Sequence, residues 1–241
     1  MPQTTETMRP ARSTAVWALL AACAGSAQAA TIAVDVGHYL AAPGATSAYG
    51  DTEFGYNLAL AQVVVQRLRA DGHVVLLIGA GGDMDSLRAR PAMAEGADLF
   101  ISIHHDSVNE RYLSTWTVAG KPQRYSDISH GYSVFVSPDN PHYAESYACA
   151  EAVGSAMKRA GFAPNLHHVM NDAGEGYVVL DPELAVYRSS LVVVKYATVP
   201  ALLLEAGVII NRDEALTMKQ PATRRRVADA VASAMSCLAP E

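Results

Sequence analysis

The stretch "FISIHHDSV" places titratable side chains at the end of an apolar segment. His104, His105 and Asp106 directly follow four residues that are typical of a buried strand, and a second apolar run, "TIAVDV", is followed by Gly37 and His38. Imidazole is an acid–base group near neutral pH and a frequent metal ligand. Because an idle imidazole at a buried strand end is unfavourable, His104 is a stronger candidate than His38, which alone would be an ordinary turn residue.

Two carboxylates belong with these histidines. Glu205 is flanked by "ALLL" and "AGVII", where an unpaired carboxylate needs a cation, a hydrogen-bond donor or a proton. Glu53 opens a helical pattern, a position that the helix dipole favours without any catalytic reason. Two imidazoles and one carboxylate form a known zinc ligand set that leaves a fourth position open for water.

An alternation of strands and helices positions these residues. Strand-like runs cover residues 31–36, 73–79, 97–103, 132–137 and 199–210, and helical patterns cover 54–68, 85–96, 143–160 and 221–238. This order predicts an α/β fold: one domain with a mainly parallel twisted sheet and helices on both faces. Because ligands bind outside the carboxyl ends of such strands, we expect His38, His104 and Glu205 at one edge, with Glu53 brought there by the preceding loop.

The start of the chain resembles an export signal. Arg9 and Arg12 precede the apolar run "STAVWALLAACAGSAQAA", and residues 27–29 form an A-x-A cleavage pattern. We predict a signal peptide over 1–29, a single domain over 30–241, and a periplasmic or other envelope location. The alternative is a lipobox, "LAAC", which would anchor the protein through a lipidated Cys23.

The charge of the chain excludes some partners. The sequence holds 18 basic and 24 acidic residues, and without the predicted signal peptide 16 and 23 remain, a net charge of −7. A chain this acidic lacks the basic surface that binds nucleic acid or an anionic membrane. No segment after the predicted signal peptide is apolar for long enough to form a transmembrane helix.

Two cysteines, Cys149 and Cys237, remain after the predicted cleavage. In an oxidising compartment a disulfide between them is plausible, and two buried thiols are the alternative. This pair by itself does not suggest a metal site.

Four segments form an ordered set of motifs: "VDVGHYLAAPGA", "EFGYNLALA", "ADLFISIHHD" and "VPALLLEAGVIINRDE". They resemble, in the same order, the motifs D-x-G-H-G-G…P-G-A, E-x-x-x-N-L, A-D-L-F-I-S-I-H-A-N and P-A-V-L-V-E-x-G-F-x-x-N of the zinc-dependent N-acetylmuramoyl-L-alanine amidases of bacterial cell walls. The resemblance runs from about Thr31 to about Leu238. It implies that peptidoglycan is the substrate and that the bond between the lactyl group of N-acetylmuramic acid and L-alanine is hydrolysed.

The resemblance also implies residue roles. His38, Glu53 and His104 would bind Zn²⁺, and Glu205 would be the catalytic carboxylate that takes a proton from water and returns it to the leaving amine. No other cofactor is implied. A protein activator is left open.

Three positions depart from the family pattern. His105 stands in place of a small residue and Asp106 in place of an asparagine, so both could line the substrate groove, or His105 could hydrogen-bond a metal ligand. Tyr39 replaces the second glycine, which affects the expected loop shape. Lys195 occupies a basic position of the family and could steady an oxyanion or Glu205, although a solvated lysine is the simpler interpretation.

Other interpretations are a zinc peptidase acting on the stem peptides and a non-catalytic regulator that binds peptidoglycan. The joint presence of both histidines and both carboxylates argues against the regulator. The segments 107–131 and 163–189 are predicted to form walls or a lid near the metal, with ordinary surface loops as the alternative.

Overall fold

Strands and helices alternate along the part of the chain that the computed structural model describes, Met1 and residues 29–170 and 176–239. The strands are β1 (Thr31–Val36), β2 (Val74–Ile78), β3 (Leu99–Asp106), β4 (Ser114–Val118), β5 (Lys121–Tyr125), β6 (Ser133–Val136), β7 (Val178–Asp181), β8 (Val186–Arg188) and β9 (Ala201–Val208). The α-helices are α1 (Glu53–Ala70), α2 (Ala89–Ala92), α3 (Tyr143–Arg159), α4 (Val192–Lys195), α5 (Arg212–Lys219) and α6 (Pro221–Ser233). The predicted lipobox with Cys23 and most of the predicted signal peptide lie outside the described residues.

The main sheet has seven strands in the order β2-β1-β3-β9-β6-β8-β7. The pairs β1–β2, β1–β3, β3–β9 and β6–β8 are parallel, whereas β6–β9 and β7–β8 are antiparallel. The central strands β1, β3 and β9 are continuous apolar runs because both of their faces are covered, while the edge strand β2 alternates between buried and exposed residues. The predicted mainly parallel α/β fold is confirmed.

Helices lie on both faces of this sheet. Ser102 of β3 donates a hydrogen bond to Asp35 of β1, which also pairs with Arg90 of α2. His105, three residues further along β3, points to the other face, where its imidazole contacts Asn57 of α1. The long helices α1 and α3 both pack against α6, and the short helices α2 and α4 pack against each other.

Two helical predictions differ from the structure. The helix predicted over 85–96 is confined to the single turn α2, which contains Pro91; proline lacks the backbone N–H that a helix starting near residue 85 would need at this position. The C-terminal helix predicted over 221–238 is α6 followed by a 3₁₀ turn over Ala234–Leu238, and the separate helix α5 precedes it. Asn211 begins α5 because its side chain accepts from the backbone N–H groups of Asp213 and Glu214.

Two long segments that sequence analysis left as loops contain strands. Segment 107–131 holds the antiparallel pair β4–β5, joined by Ala119 and Gly120, both with positive φ as a two-residue hairpin turn requires. Segment 163–189 holds β7 and β8, which extend the main sheet at its far edge. All four strands are short, and β4 and β5 are also largely polar, so their apolar periodicity is weak.

A disulfide joins Cys149 of α3 to Cys237 in the C-terminal 3₁₀ turn. Of the two alternatives for these cysteines, the structure therefore has the bridge. Within the described residues, none of the helices combines the length and the apolar character needed to cross a membrane.

Candidate active site

The carboxyl ends of β1 and β3 and the start of α1 meet at one edge of the sheet. His38 follows β1, His104 lies near the end of β3, and Glu53 is the first residue of α1. The helix begins at Glu53 because Thr52 caps it, its side-chain oxygen accepting from the N–H of Gly55. The loop between β1 and α1 thus returns the chain to the same edge, as predicted.

We call His38, Glu53 and His104 the first cluster. One carboxylate oxygen of Glu53 lies 3.1 Å from Nε2 of His38, and the other lies 3.0 Å from Nδ1 of His104. The three ligand atoms that the residues offer lie within 4.8 Å of one another. The Glu53 side chain is almost fully buried, whereas the His38 side chain is 33% exposed. The cluster is therefore held from inside the protein and is open to solvent on the side of His38.

Two glycines make room for the first cluster. A Cβ atom added to Gly37 would lie 2.3 Å from the ring of His104, and one added to Gly44 would lie 2.3 Å from the Glu53 carboxylate. Gly44 also has a positive φ of 79°. His38 itself has a φ of 67°, which is unusual for a residue with a side chain and turns its imidazole toward Glu53. Tyr39, where the family has glycine, bridges to Ala42 in this loop.

The Glu53 carboxylate is anchored by further donors. It accepts hydrogen bonds from the backbone N–H of Ala45 at 2.9 Å, from the backbone N–H of His105 at 3.3 Å and from the side-chain amide of Asn57 at 3.2 Å. Burial disfavours its ionised form, but its contacts with His104 and His38 outweigh that effect, so the pKa of Glu53 is held well below its ordinary value. Glu53 is thus kept as a carboxylate.

Asn57 is a site residue whose role sequence analysis did not identify. Its amide also donates to the carbonyl of Gly37, and its side-chain oxygen lies 2.8 Å from Nδ1 of His105. The signal was present in the sequence, because Glu53 and Asn57 are four residues apart and therefore share one face of a helix.

His105 does not line the groove, which was one of its two expected places. It is only 2% exposed, and its imidazole lies against Asn57 and the ring of Tyr56. Burial lowers the pKa of His105 to about 3, so the imidazole is neutral. Through Asn57 it supports Glu53, which agrees with the other expectation, a hydrogen-bonding role behind a candidate ligand.

Glu205 lies on β9 directly opposite His104 of β3. Its Oε2 atom is buried and has no hydrogen-bond partner among the described residues. Burial raises the pKa of Glu205 well above its ordinary value, and the negative charges of Asp106 and Glu53 add to this effect. A buried carboxyl oxygen that makes no hydrogen bond lowers the stability of the fold, so such an oxygen indicates a role in binding or catalysis.

A cavity of about 410 Å³ joins Glu205 to the first cluster. Its polar lining includes His38, His104, Asp106 and His168, and apolar side chains such as Phe135 complete the wall. Asp106 therefore lines the groove, in agreement with the expectation for this residue from the sequence.

The two long segments contribute to the cavity only in part. Ser107 and Asn109 from segment 107–131 and His168 and Tyr177 from segment 163–189 line it, which supports the prediction of walls. Trp116 instead packs against Tyr49 and Tyr125 beside the hairpin. Asn171 and Glu175, which belong to segment 163–189, lie outside the described residues.

Lys195 forms its ion pair with Asp139. Its ammonium group lies 2.7 Å from Asp139, and it is not among the residues that line the cavity. The simpler interpretation of a partly solvated lysine is the one that the structure supports.

Comparisons with known proteins agree with this geometry. The family model of N-acetylmuramoyl-L-alanine amidase matches residues 32–237. No curated protein sequence matches the chain. One similar solved structure is the catalytic domain of CwlV, an N-acetylmuramoyl-L-alanine amidase from Bacillus (Paenibacillus) polymyxa var. colistinus, with a TM-score of 0.64, 23% identity, and coverage of 86% of this chain and 96% of that chain.

Two further structures are similar over the same extent. The amidase Ami1 from Mycobacterium smegmatis has a TM-score of 0.67 at 18% identity and covers 87% of this chain and 96% of its own. The CwlD amidase from Clostridioides difficile, solved in complex with the GerS lipoprotein, has a TM-score of 0.61 at 16% identity, with 87% and 98% covered. At these identities the structural likeness establishes the fold. The family match spans most of the 241 residues, and this chain therefore belongs to the N-acetylmuramoyl-L-alanine amidase family.

Proposed function

We propose that this chain is a zinc-dependent hydrolase that cleaves the amide bond between the lactyl group of N-acetylmuramic acid and L-alanine in peptidoglycan. His38, Glu53 and His104 would hold the zinc ion, and Glu205 would be the catalytic carboxylate. The observation that carries the proposal is that Glu205, whose Oε2 has no hydrogen-bond partner within the described part of the chain, lines the same cavity as His38 and His104 of the His/Glu/His cluster.

The first cluster fits a zinc ion. Zinc takes imidazole nitrogen and carboxylate oxygen at about 2.0–2.2 Å, which separates neighbouring donors by about 3.3 Å in a tetrahedral site. Each imidazole nitrogen lies about this far from a different oxygen of Glu53, 3.1 Å for His38 and 3.0 Å for His104, and the three ligand atoms of the cluster lie within 4.8 Å of one another. The anchoring of Glu53 by Asn57 and by backbone N–H groups is the kind of support that metal ligands have.

Glu205 and the cavity wall would carry out the remaining parts of the hydrolysis. When bound, zinc would supply a Lewis acid that polarises the amide carbonyl and makes water a better nucleophile. Glu205 would take the proton of the attacking water and deliver it to the leaving nitrogen of L-alanine. Burial raises the pKa of Glu205 above its ordinary value, which makes its carboxylate a stronger base than that of an exposed glutamate. The apolar cavity wall around Phe135 and Leu203 would shield that transfer from bulk water.

Digestion of purified peptidoglycan tests this proposal. Mass spectrometry of the products should find lactyl-ended glycan strands together with intact stem peptides, and metal analysis of the same protein should find zinc. Cleavage within the stem peptide would make the chain a zinc peptidase instead. Binding to peptidoglycan without any released product would make it a regulator.

We further propose that the protein is exported to the cell envelope, with cleavage after Ala29 or, alternatively, lipidation at Cys23. The disulfide between Cys149 and Cys237 supports an oxidising compartment. By analogy with CwlD, which was solved with a lipoprotein, a protein activator is a further candidate partner. Intact mass and N-terminal sequencing of the protein isolated from its own envelope distinguish the two processing routes.

A further inference from the structure

A second set of potential ligands lies at the wall of the same cavity, and we call Asp106, His167 and His168 the second cluster. Oδ2 of Asp106 lies 2.9 Å from Nε2 of His168 and 3.6 Å from Nδ1 of His167. The three ligand atoms lie within 4.8 Å of one another, as in the first cluster. These separations bracket the spacing of about 3.3 Å that neighbouring donors have around one zinc ion.

The Asp106 carboxylate is oriented as a metal-binding carboxylate is. The backbone N–H of Ser107 donates to Oδ1 at 2.7 Å, which leaves Oδ2 as the atom that faces both histidines. The side-chain amide nitrogen of Asn165 lies 3.3 Å from Oδ2 and 2.8 Å from Nδ1 of His167. A metal ion bound to Nδ1 of His167 would displace the amide of Asn165 from that nitrogen. The amide would keep its hydrogen bond to Oδ2 of Asp106.

The two imidazoles are held against each other in a poorly hydrated place. Their ring centroids are 3.8 Å apart, and the side chains of His167 and His168 are only 10% and 7% exposed. The rings of Phe135 and Tyr187 contact His168 edge-on and fix its orientation. Two imidazole nitrogens held this close to one carboxylate oxygen are placed to be ligands of a single cation.

The charge of the surroundings favours a second cation. Among the described residues that line the cavity, Asp106 and Glu205 carry carboxylates and none is lysine or arginine. Glu53 adds a third carboxylate beside the cavity. A divalent ion at the first cluster would contact Glu53, so the negative charge of Asp106 would remain available to a second cation.

From this arrangement we propose that Asp106, His167 and His168 bind a second divalent cation of the zinc class. A nitrogen-rich set with one carboxylate suits zinc better than calcium or magnesium, which take oxygen ligands. Asp106 belongs to β3, whereas the histidines belong to the 3₁₀ turn His167–Met170. The ion would therefore tie the cavity wall to the sheet without depending on the reaction at the first cluster.

Zinc stoichiometry tests the second site independently of activity. The full chain is stripped of metal, reloaded with Zn²⁺, freed of excess by gel filtration and analysed by mass spectrometry of the metal. The wild type is expected to hold about two ions per chain. His38→Ala and Asp106→Asn should each lose one of them, and the double variant should lose both. His142→Ala, an exposed histidine outside both clusters, is the matched control and should lose none.

Asp106→Asn keeps the shape of the side chain and can still accept from Ser107, so folding should survive; melting temperature checks this. His168→Gln gives a second test if that variant is unstable. A wild type with about one ion, unchanged by Asp106→Asn and His168→Gln, would show a hydrogen-bonded network only and overturn the proposal. Release of muropeptides is measured separately on the same samples. A protein that binds two ions but releases no muropeptide would contradict the proposed function and still support the second site.

Discussion

The two clusters of this chain share one cavity but are built from different parts of the fold. The first cluster takes its residues from the end of β1, the end of β3 and the capped start of α1. The second cluster takes one residue from β3 and two from a short 3₁₀ turn in a long connection. Two of the three residues of the first cluster therefore lie in regular elements and His38 follows a strand end directly, whereas the second cluster depends on how a connection folds back on the sheet.

Strand β3 contributes His104 to the first cluster and Asp106 to the second, and His105 lies between them. His104 faces Glu53, His105 points into the protein toward α1, and Asp106 faces the histidines of the second cluster. Alternation explains the opposite directions of His104 and His105, and the pairing of β3 with β9 shifts register between His104 and Asp106. A register shift at the end of one strand thus places nearby side chains in two different clusters.

The largest expected effect separates His104 from its neighbour. His104→Ala should lose the zinc of the first cluster and all muropeptide release, because it removes a proposed zinc ligand. His105→Ala should keep most of the zinc but lower the free energy of unfolding by about 1–3 kcal/mol, because Asn57 loses a buried partner. Zinc analysis and denaturant unfolding of both variants check this. Loss of the first-cluster zinc from His105→Ala alone would reverse the assignment.

Glu205→Gln should lower the rate of muropeptide release by about 10²–10⁴-fold, because the amide cannot accept the proton of water. The side chain keeps its shape, so zinc content and melting temperature should stay at wild-type values. Both are measured on the sample used for the rate. Full activity would remove Glu205 from the mechanism, and a folded protein without first-cluster zinc would make Glu205 a ligand.

Removing the disulfide should weaken the fold without touching either cluster. Replacing Cys149 and Cys237 by serine frees a loop that spans 88 residues, and we expect a loss of about 2–4 kcal/mol in the free energy of unfolding. Denaturant titration of wild type and variant measures it. Zinc stoichiometry under native conditions should not change, and a selective loss of one ion would show that a cluster depends on the bridge.

The smallest expected effect concerns the space around the first cluster. Gly37→Ala would press a methyl group against the ring of His104, so zinc affinity at the first cluster should fall by about 10–100-fold. Competition with a chelator measures it. Gly55→Ala is the matched control, because its added carbon meets only Thr52 at an ordinary 3.4 Å. Equal affinities in the two variants would mean that the His104 ring adjusts without cost.

The edge position of His38, His104 and Glu205 was predictable from the sequence, because apolar strands alternating with helices force parallel strands whose carboxyl ends share one edge. The place of Glu53 followed from the loop that returns to that edge. The contact of Asp106 with His167 and His168 was not predictable, because it depends on the register shift beside β9 and on how a distant connection packs there. Contacts between distant segments of this kind leave no periodicity in the sequence.

What the sequence alone determined is the α/β architecture, the family and the residues of the first cluster, since these depend on local apolar patterns and on motifs within regular elements. Only the tertiary structure decided that Asn57 joins Glu53 to His105 and that Asp106 meets His167 and His168. The physical reason is the range of the interactions. The patterns that predict strands and helices involve residues close together in the sequence. Asp106 and His168 are 62 positions apart and meet only when the 3₁₀ turn His167–Met170 packs against the sheet.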